Sequence, residues 1–140
     1  MKKAIFAAPF ALAAASCASA GSSYEMSESV AARLAEFEKT GETETCINVR
    51  RINSITPLDE RNFLVRVGVN DYYLNRPRNR CAGADRAFNR LQYKVSGSML
   101  CRNEIVQVVD NSSGLTGGSC GLGVFEKLEK INEGDESDPG

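Results

Sequence analysis

The chain has 140 residues, with 17 Lys plus Arg against 18 Asp plus Glu, five cysteines, and neither histidine nor tryptophan. That length suits a single domain, and a formal net charge of −1 carries no global signature for binding a polyanion. The lack of histidine excludes Ser-His-Asp and Cys-His catalysis, and with them His-ligated zinc and copper sites.

Lys2 and Lys3 precede a 13-residue uncharged run, Ala4 to Ser16, that carries Ile5, Phe6, Phe10 and Leu12. This is the layout of a signal peptide over residues 1–16, and the run is too short to span a bilayer as a helix. Ala14 at −3, Ser16 at −1 and then Cys17 resemble the lipobox of bacterial lipoproteins, with Ala14 where Leu is commoner. On this reading Cys17 is acylated, and Ala18 at +2 directs the protein to the outer membrane. The alternative is cleavage after Ala18-Ser19-Ala20, which gives a soluble periplasmic or secreted chain.

Residues 17–44 read as a lipidated tether followed by a short helix. Ser27 is placed to cap it, and Val30, Leu34 and Phe37 form an i, i+4, i+7 stripe that carries it to about Thr40. Gly41 to Glu44 read as a linker. From Cys46 the period changes to two. Phe63, Val65, Val67 and Val69 alternate with Leu64, Arg66 and Gly68, and Asn70-Asp71 turns into Tyr72-Tyr73-Leu74 as a hairpin. Asn75 to Asn89 is an Arg-rich connection with a helical turn expected near Ala84 to Phe88. Leu91, Tyr93 and Val95 alternate again, and Met99 to Cys101 resumes after a turn. Ile105 to Val109 reads as a strand buried on both faces, Asn111 to Ser119 as a loop, and Cys120 to Phe125 as the last strand. Residues 129–140 read as an acidic flexible tail. The expected fold is therefore mainly β over residues 45–128: a small antiparallel barrel or sandwich, OB-like or SH3-like, with one short N-terminal helix and disulfide staples.

Cys46, Cys81, Cys101 and Cys120 form an even set without a C-x-x-C, so disulfides are expected rather than a redox or zinc site. Three connectivities are possible. The preferred one is Cys81–Cys101 with Cys46–Cys120, which ties the Arg-rich loop to a strand end and the first strand to the last.

Arg76, Arg78, Arg80, Arg86, Arg90 and Lys94 lie within 19 residues, opposed only by Asp85. They read as an anion-binding face for lipopolysaccharide phosphates, an acidic polymer or an acidic partner, or more plainly as a solvated loop. Tyr72, Tyr73 and Tyr93 read as groove lining or as core. Asp59-Glu60, Asp71, Glu104 and Asp110 are candidate carboxylates with no pair established. The run Asp110 to Gly114 looks like a calcium loop that lacks the later ligands. Gly117-Gly118 and Gly121-x-Gly123 precede no helix and form no nucleotide fingerprint.

The order Cys46-Ile47, an aliphatic strand, Tyr73-Leu74, Cys81-x-Gly83, Leu100-Cys101, Glu104-Ile105-Val106 and Cys120-x-Leu122-Gly123-x-Phe125 resembles domain-of-unknown-function family 6491, a group of small Gram-negative envelope proteins. The likeness spans about residues 45–128 and rests mainly on the four cysteines, with Glu104 standing where Asp is expected. It implies an exported, often lipobox-bearing protein with no catalytic residues to carry over. The expected function is that of a non-enzymatic envelope lipoprotein, held to the membrane by its lipid. It binds an envelope protein or an anionic envelope polymer, with no nucleic acid, cofactor or metal. A small secreted hydrolase or inhibitor is the alternative.

Overall fold

In an extended strand successive side chains point to opposite faces, so Phe63-Leu64-Val65-Arg66-Val67 offers apolar groups to both sides. The computed structural model describes residues 23–132. The expected signal peptide, Cys17, the Ala18-Ser19-Ala20 site and residues 133–140 lie outside the described residues. The elements in chain order are α1 (Glu28–Leu34), β1 (Phe37–Glu44), β2 (Cys46–Asn48), β3 (Ile52–Pro57), β4 (Phe63–Val67), β5 (Asp71–Asn75), β6 (Asn89–Tyr93), β7 (Met99–Cys101), β8 (Ile105–Asp110), β9 (Thr116–Gly121) and β10 (Phe125–Lys130).

Every pairing is antiparallel. A five-stranded sheet runs β1-β10-β5-β4-β3, a three-stranded sheet runs β6-β8-β9, and β2 pairs with β7 in a short ribbon. The architecture is sandwich-like and not a closed barrel. Among the described residues the sheets do not close into an OB-like or SH3-like barrel, because β3 and β6 stay unpaired sheet edges.

The main core lies between the sheets. Phe63, Val65 and Val67 of β4 and Phe125 of β10 meet Val106 and Val108 of β8, with Ile47 and Leu100 supplied by the ribbon. Each fully buried side chain of this size contributes roughly 1.5–3 kcal/mol, and truncating Phe63 or Phe125 to Ala costs about 3–5 kcal/mol. Leu64 points the other way and joins Phe37, Leu74 and Leu128 in a second cluster, against which Leu34 of α1 packs. Both faces of β4 are thus covered.

Several boundaries differ from the sequence reading. Ser27 does cap the helix, its Oγ accepting from the Val30 N–H at 3.4 Å, but the helix stops at Leu34 rather than near Thr40. Phe37 instead begins β1, where it lies opposite Lys130, and the Ile131 N–H donates to the Glu36 carbonyl at 2.9 Å. The expected linker Gly41 to Glu44 is strand, because β10 offers an edge that pairs it. The β4–β5 hairpin is present, but its loop is Gly68-Val69-Asn70, since Val67 already lies opposite Asp71. Gly68 takes φ +59°, a left-handed value that glycine adopts without strain.

The last expected strand divides. β9 ends at Gly121 in one sheet and β10 begins at Phe125 in the other, so Leu122-Gly123-Val124 crosses the sandwich and Glu129 and Lys130 belong to β10 rather than to the tail. β8 buries Val106, Val108 and Val109 but leaves Ile105 and Gln107 exposed, so it is covered on one main face and not on both. Residues 82–88 form turns without a helix.

Candidate functional site

The Arg-rich segment 76–88 is the longest connection between elements, and the fold holds it down at several points. Asn79 takes the place of a strand residue against the edge of β9. Its amide donates to the Ser119 carbonyl at 3.0 Å, and its Oδ1 accepts from the Gly121 N–H at 3.0 Å. The Arg78 N–H donates to the Gly121 carbonyl at 2.8 Å. These bonds satisfy backbone groups that a free sheet edge leaves open.

Two glycines permit the approach. A Cβ on Gly118 would stand 2.5 Å from the Ala82 carbonyl oxygen, and one on Gly123 would stand 2.1 Å from that of Arg76. The glycine pattern that made no nucleotide fingerprint therefore serves close backbone packing. Asn75, fully buried, adds to the clamp: Gly123 N–H donates to its Oδ1 at 3.0 Å, and its amide donates to the Gly123 carbonyl at 2.8 Å.

The disulfides join Cys46 to Cys101 and Cys81 to Cys120. This corrects the preferred pairing of Cys81 with Cys101 and Cys46 with Cys120. Cys46 and Cys101 lie directly opposite in the β2–β7 ribbon, so the register brings their Cα atoms to 3.9 Å. The Arg-rich loop lies along β9 and sets Cys81 against Cys120 at 5.0 Å, inside the main core.

The five arginines do not converge. Arg76 pairs with Glu126 of β10 at 3.2 Å, Arg78 donates to Asn103 Oδ1 at 2.6 Å, and Arg90 donates to Asn111 Oδ1 at 2.6 Å. Only Arg80 and Arg86 share a site, an open groove of about 600 Å³ that Glu60, Asp110, Phe88 and Leu115 also border. Arg80 pairs there with Glu60. Arg86 is exposed and has no ion-pair contact to a carboxylate among the described residues. Lys94 lies apart, beside Ile105 and Gln107.

Each candidate carboxylate has a structural task. Glu60 grips the Arg loop: its carboxylate accepts from Arg80 and from the Gly83 N–H at 2.6 Å, while its carbonyl accepts from the Cys81 N–H at 2.8 Å. The Arg80 guanidinium, followed by the Gly83 amide, holds the Glu60 carboxyl below its usual range. Asp110 closes the β8–β9 turn, accepting from the Ser112 hydroxyl and from the Ser112 and Ser113 N–H groups at 2.7 and 3.0 Å. Those donors lower its pKa as well, the Ser112 hydroxyl most. The resemblance to a calcium loop is thus an Asx turn, and among the described residues no group of three or more acidic, Cys or His side chains is placed to hold a metal ion.

Asp59 accepts from Tyr24 and from the Arg61 N–H, Asp71 pairs with Arg51 at 3.3 Å, and Glu104 accepts from the Cys101 N–H at 2.7 Å. A general acid needs a carboxyl pushed upward. The two carboxyls in the groove are shifted downward.

The tyrosines do not share a groove. Tyr72 packs with the second cluster, its ring centroid 4.9 Å from that of Phe37, whereas Tyr73 and Tyr93 pack against the main core. Sequence reasoning missed Asn75, Asn79, Glu60 as the loop's clamp, Tyr24, and the exposed pair Phe88 and Leu115. For the last two a signal existed, namely a large apolar residue inside a polar loop. No protein-family model, curated protein or solved structure matches the chain.

Proposed function

We propose that the chain is an exported envelope lipoprotein, anchored through acylated Cys17 to the outer membrane on its periplasmic side. Its disulfide-stapled β domain acts there as a non-enzymatic binding module for another envelope component. The observation that carries this reading is the closure of both bridges within the domain, which consumes Cys46, Cys81, Cys101 and Cys120. Two disulfides favour an oxidising compartment, and they use all four cysteines of the described residues, so none of these is held for Cys17.

Binding is favoured over hydrolysis by the state of the carboxylates in the groove. Glu60 and Asp110 are held as anions by donors of the protein itself, and neither is poised to give up a proton near neutral pH. The Arg76/Arg78/Arg80 group is largely committed to Glu126, Asn103 and Glu60. That leaves Arg86 as the arginine of the loop best suited to an external anion.

Metabolic labelling with a palmitate analogue tests the anchor. Wild type should take up label and Cys17→Ser should not; label-free wild-type protein beginning at Gly21 would establish the soluble alternative. Crosslinking in native envelopes, wild type against Arg86→Glu, tests the binding role. Loss of specific adducts is expected, and an unchanged set of adducts removes the Arg loop from the function.

A further inference from the structure

Phe88 and Leu115 are 76% and 71% exposed. The backbone sets them on either side of the end of β8. The Asn111 N–H donates to the Phe88 carbonyl at 2.9 Å and the Asp110 N–H to the Leu115 carbonyl at 3.0 Å, so both residues cap one end of the three-stranded sheet. They border the groove of Arg80 and Arg86. Two large apolar side chains held in water along one groove, beside a cation, suit contact with an apolar surface.

The charge of the groove narrows what that is. Arg80 and Arg86 are balanced by Glu60 and Asp110, which opposes a densely anionic polymer. A phospholipid surface suits the same groove, because it offers single phosphates to an arginine and an acyl boundary to the apolar pair.

The chain's own path adds a second argument. Tyr24 is tied to the turn between β3 and β4: its hydroxyl bonds Asp59, the Asn62 amide donates to it at 2.9 Å, and the Arg61 guanidinium lies 5.3 Å over its ring. Glu60, the neighbour of Asp59, is a wall of the groove. Cys17 precedes Tyr24 by seven residues, a reach of at most about 25 Å.

We propose that this end of the three-stranded sheet docks on the phospholipid surface, with Phe88 and Leu115 entering the headgroup–acyl boundary and Arg86 meeting lipid phosphate. Its orientation toward the membrane rests on the reading of Cys17 as the anchor.

The test uses the exported Cys17→Ser chain, which keeps the Ala18-Ser19-Ala20 cleavage site, floated with vesicles of phosphatidylethanolamine and phosphatidylglycerol. Binding is expected without the anchor. Phe88→Ser with Leu115→Ser should lower the partition coefficient by about tenfold or more, and Arg86→Gln should lower it by a smaller factor. Val69→Ser is the control. Val69 is 74% exposed, but it lies on the turn after β4, at the opposite end of that strand from Glu60. Non-reducing mass spectrometry that finds both bridges verifies each variant's fold.

No flotation overturns the proposal, as does equal binding by the double variant. A photo-crosslinker at position 115 that captures protein rather than lipid in native envelopes also overturns it. Palmitate labelling reads the anchor separately, so labelled wild type whose Cys17→Ser form does not float refutes the docking face and leaves the lipoprotein reading intact.

Discussion

Gly123→Ala tests whether the Arg-rich loop is docked as described. The new methyl group would meet the Arg76 carbonyl oxygen at 2.1 Å, and proteins do not tolerate such contacts below 3.0 Å. One backbone must therefore retreat by roughly 1 Å, a strain of about 1–3 kcal/mol in a packed region. The retreat also disturbs Asn75, whose Oδ1 and amide bond Gly123 at 3.0 and 2.8 Å. Asn75 is fully buried, and each polar group it orphans costs about 1–3 kcal/mol. Relaxation shares these terms, so the expected loss is about 3–5 kcal/mol, a large part of a small domain's total stability. Gly121→Ala is the matched comparison, because its methyl would meet only the flexible Ile105 Cδ1 at 4.0 Å; its effect should stay within about 0.5 kcal/mol. Urea unfolding under non-reducing conditions measures both, read as midpoint shifts at constant m-value. A loss under about 1 kcal/mol for Gly123→Ala, with both bridges intact, would refute the contact between the Arg76 carbonyl and Gly123.

Peptide mapping without reductant should recover Cys46 with Cys101 and Cys81 with Cys120. Loops of 55 and 39 residues imply roughly 4 kcal/mol from either bridge. Replacing Cys81 and Cys120 by Ala should cost more than replacing the other pair, since both members are buried in the core; equal unfolding midpoints would contradict this. Glu60 has a lowered native pKa, so its stabilisation is present above the ordinary value of 4.5 and is lost as pH falls through the native value. Glu60→Gln should therefore flatten the acid limb of the stability–pH profile, and a profile parallel to wild type would count against the clamp. The Tyr24 phenol is pushed up to about 12 by burial and by Asp59. An ultraviolet titration of wild type minus Tyr24→Phe should show it titrating there rather than near 10. Stability linked to this proton is full below pH 10 and declines as pH rises toward 12.

The strands that were legible in the sequence are those whose burial alternates. Phe63, Val65 and Val67 reach one core and Leu64 the other, and this two-sided pattern is written in consecutive residues. β1 was not legible, because seven of its eight residues are exposed. Nothing in Glu38 to Glu44 asks for a strand, and the pairing comes from β10, some 85 residues along the chain. The helical stripe Val30, Leu34, Phe37 correctly identified apolar contacts. It could not tell that Phe37 reaches the shared cluster from a strand, because position i+7 of a helix and the start of a returning strand can face the same core.

The cysteines present the same difficulty in covalent form. Their number implied two bridges, but connectivity depends on which residues the sheets set opposite each other, and spacing along the chain does not encode register. Cys46 meets Cys101 because β2 and β7 pair there, and Cys81 meets Cys120 because Asn79, Gly118 and Gly123 let an Arg-rich loop lie flat along β9. The candidate site follows from that docking. The charge run looked like one face because its residues are adjacent in sequence. Once the loop is pressed onto β9, its arginines fan out to Glu126, Asn103 and Glu60, and Arg90 of β6 turns to Asn111. Arg86 is left beside Phe88 and Leu115, so the surface best suited to an outside contact is defined by the residues the loop's own packing did not use.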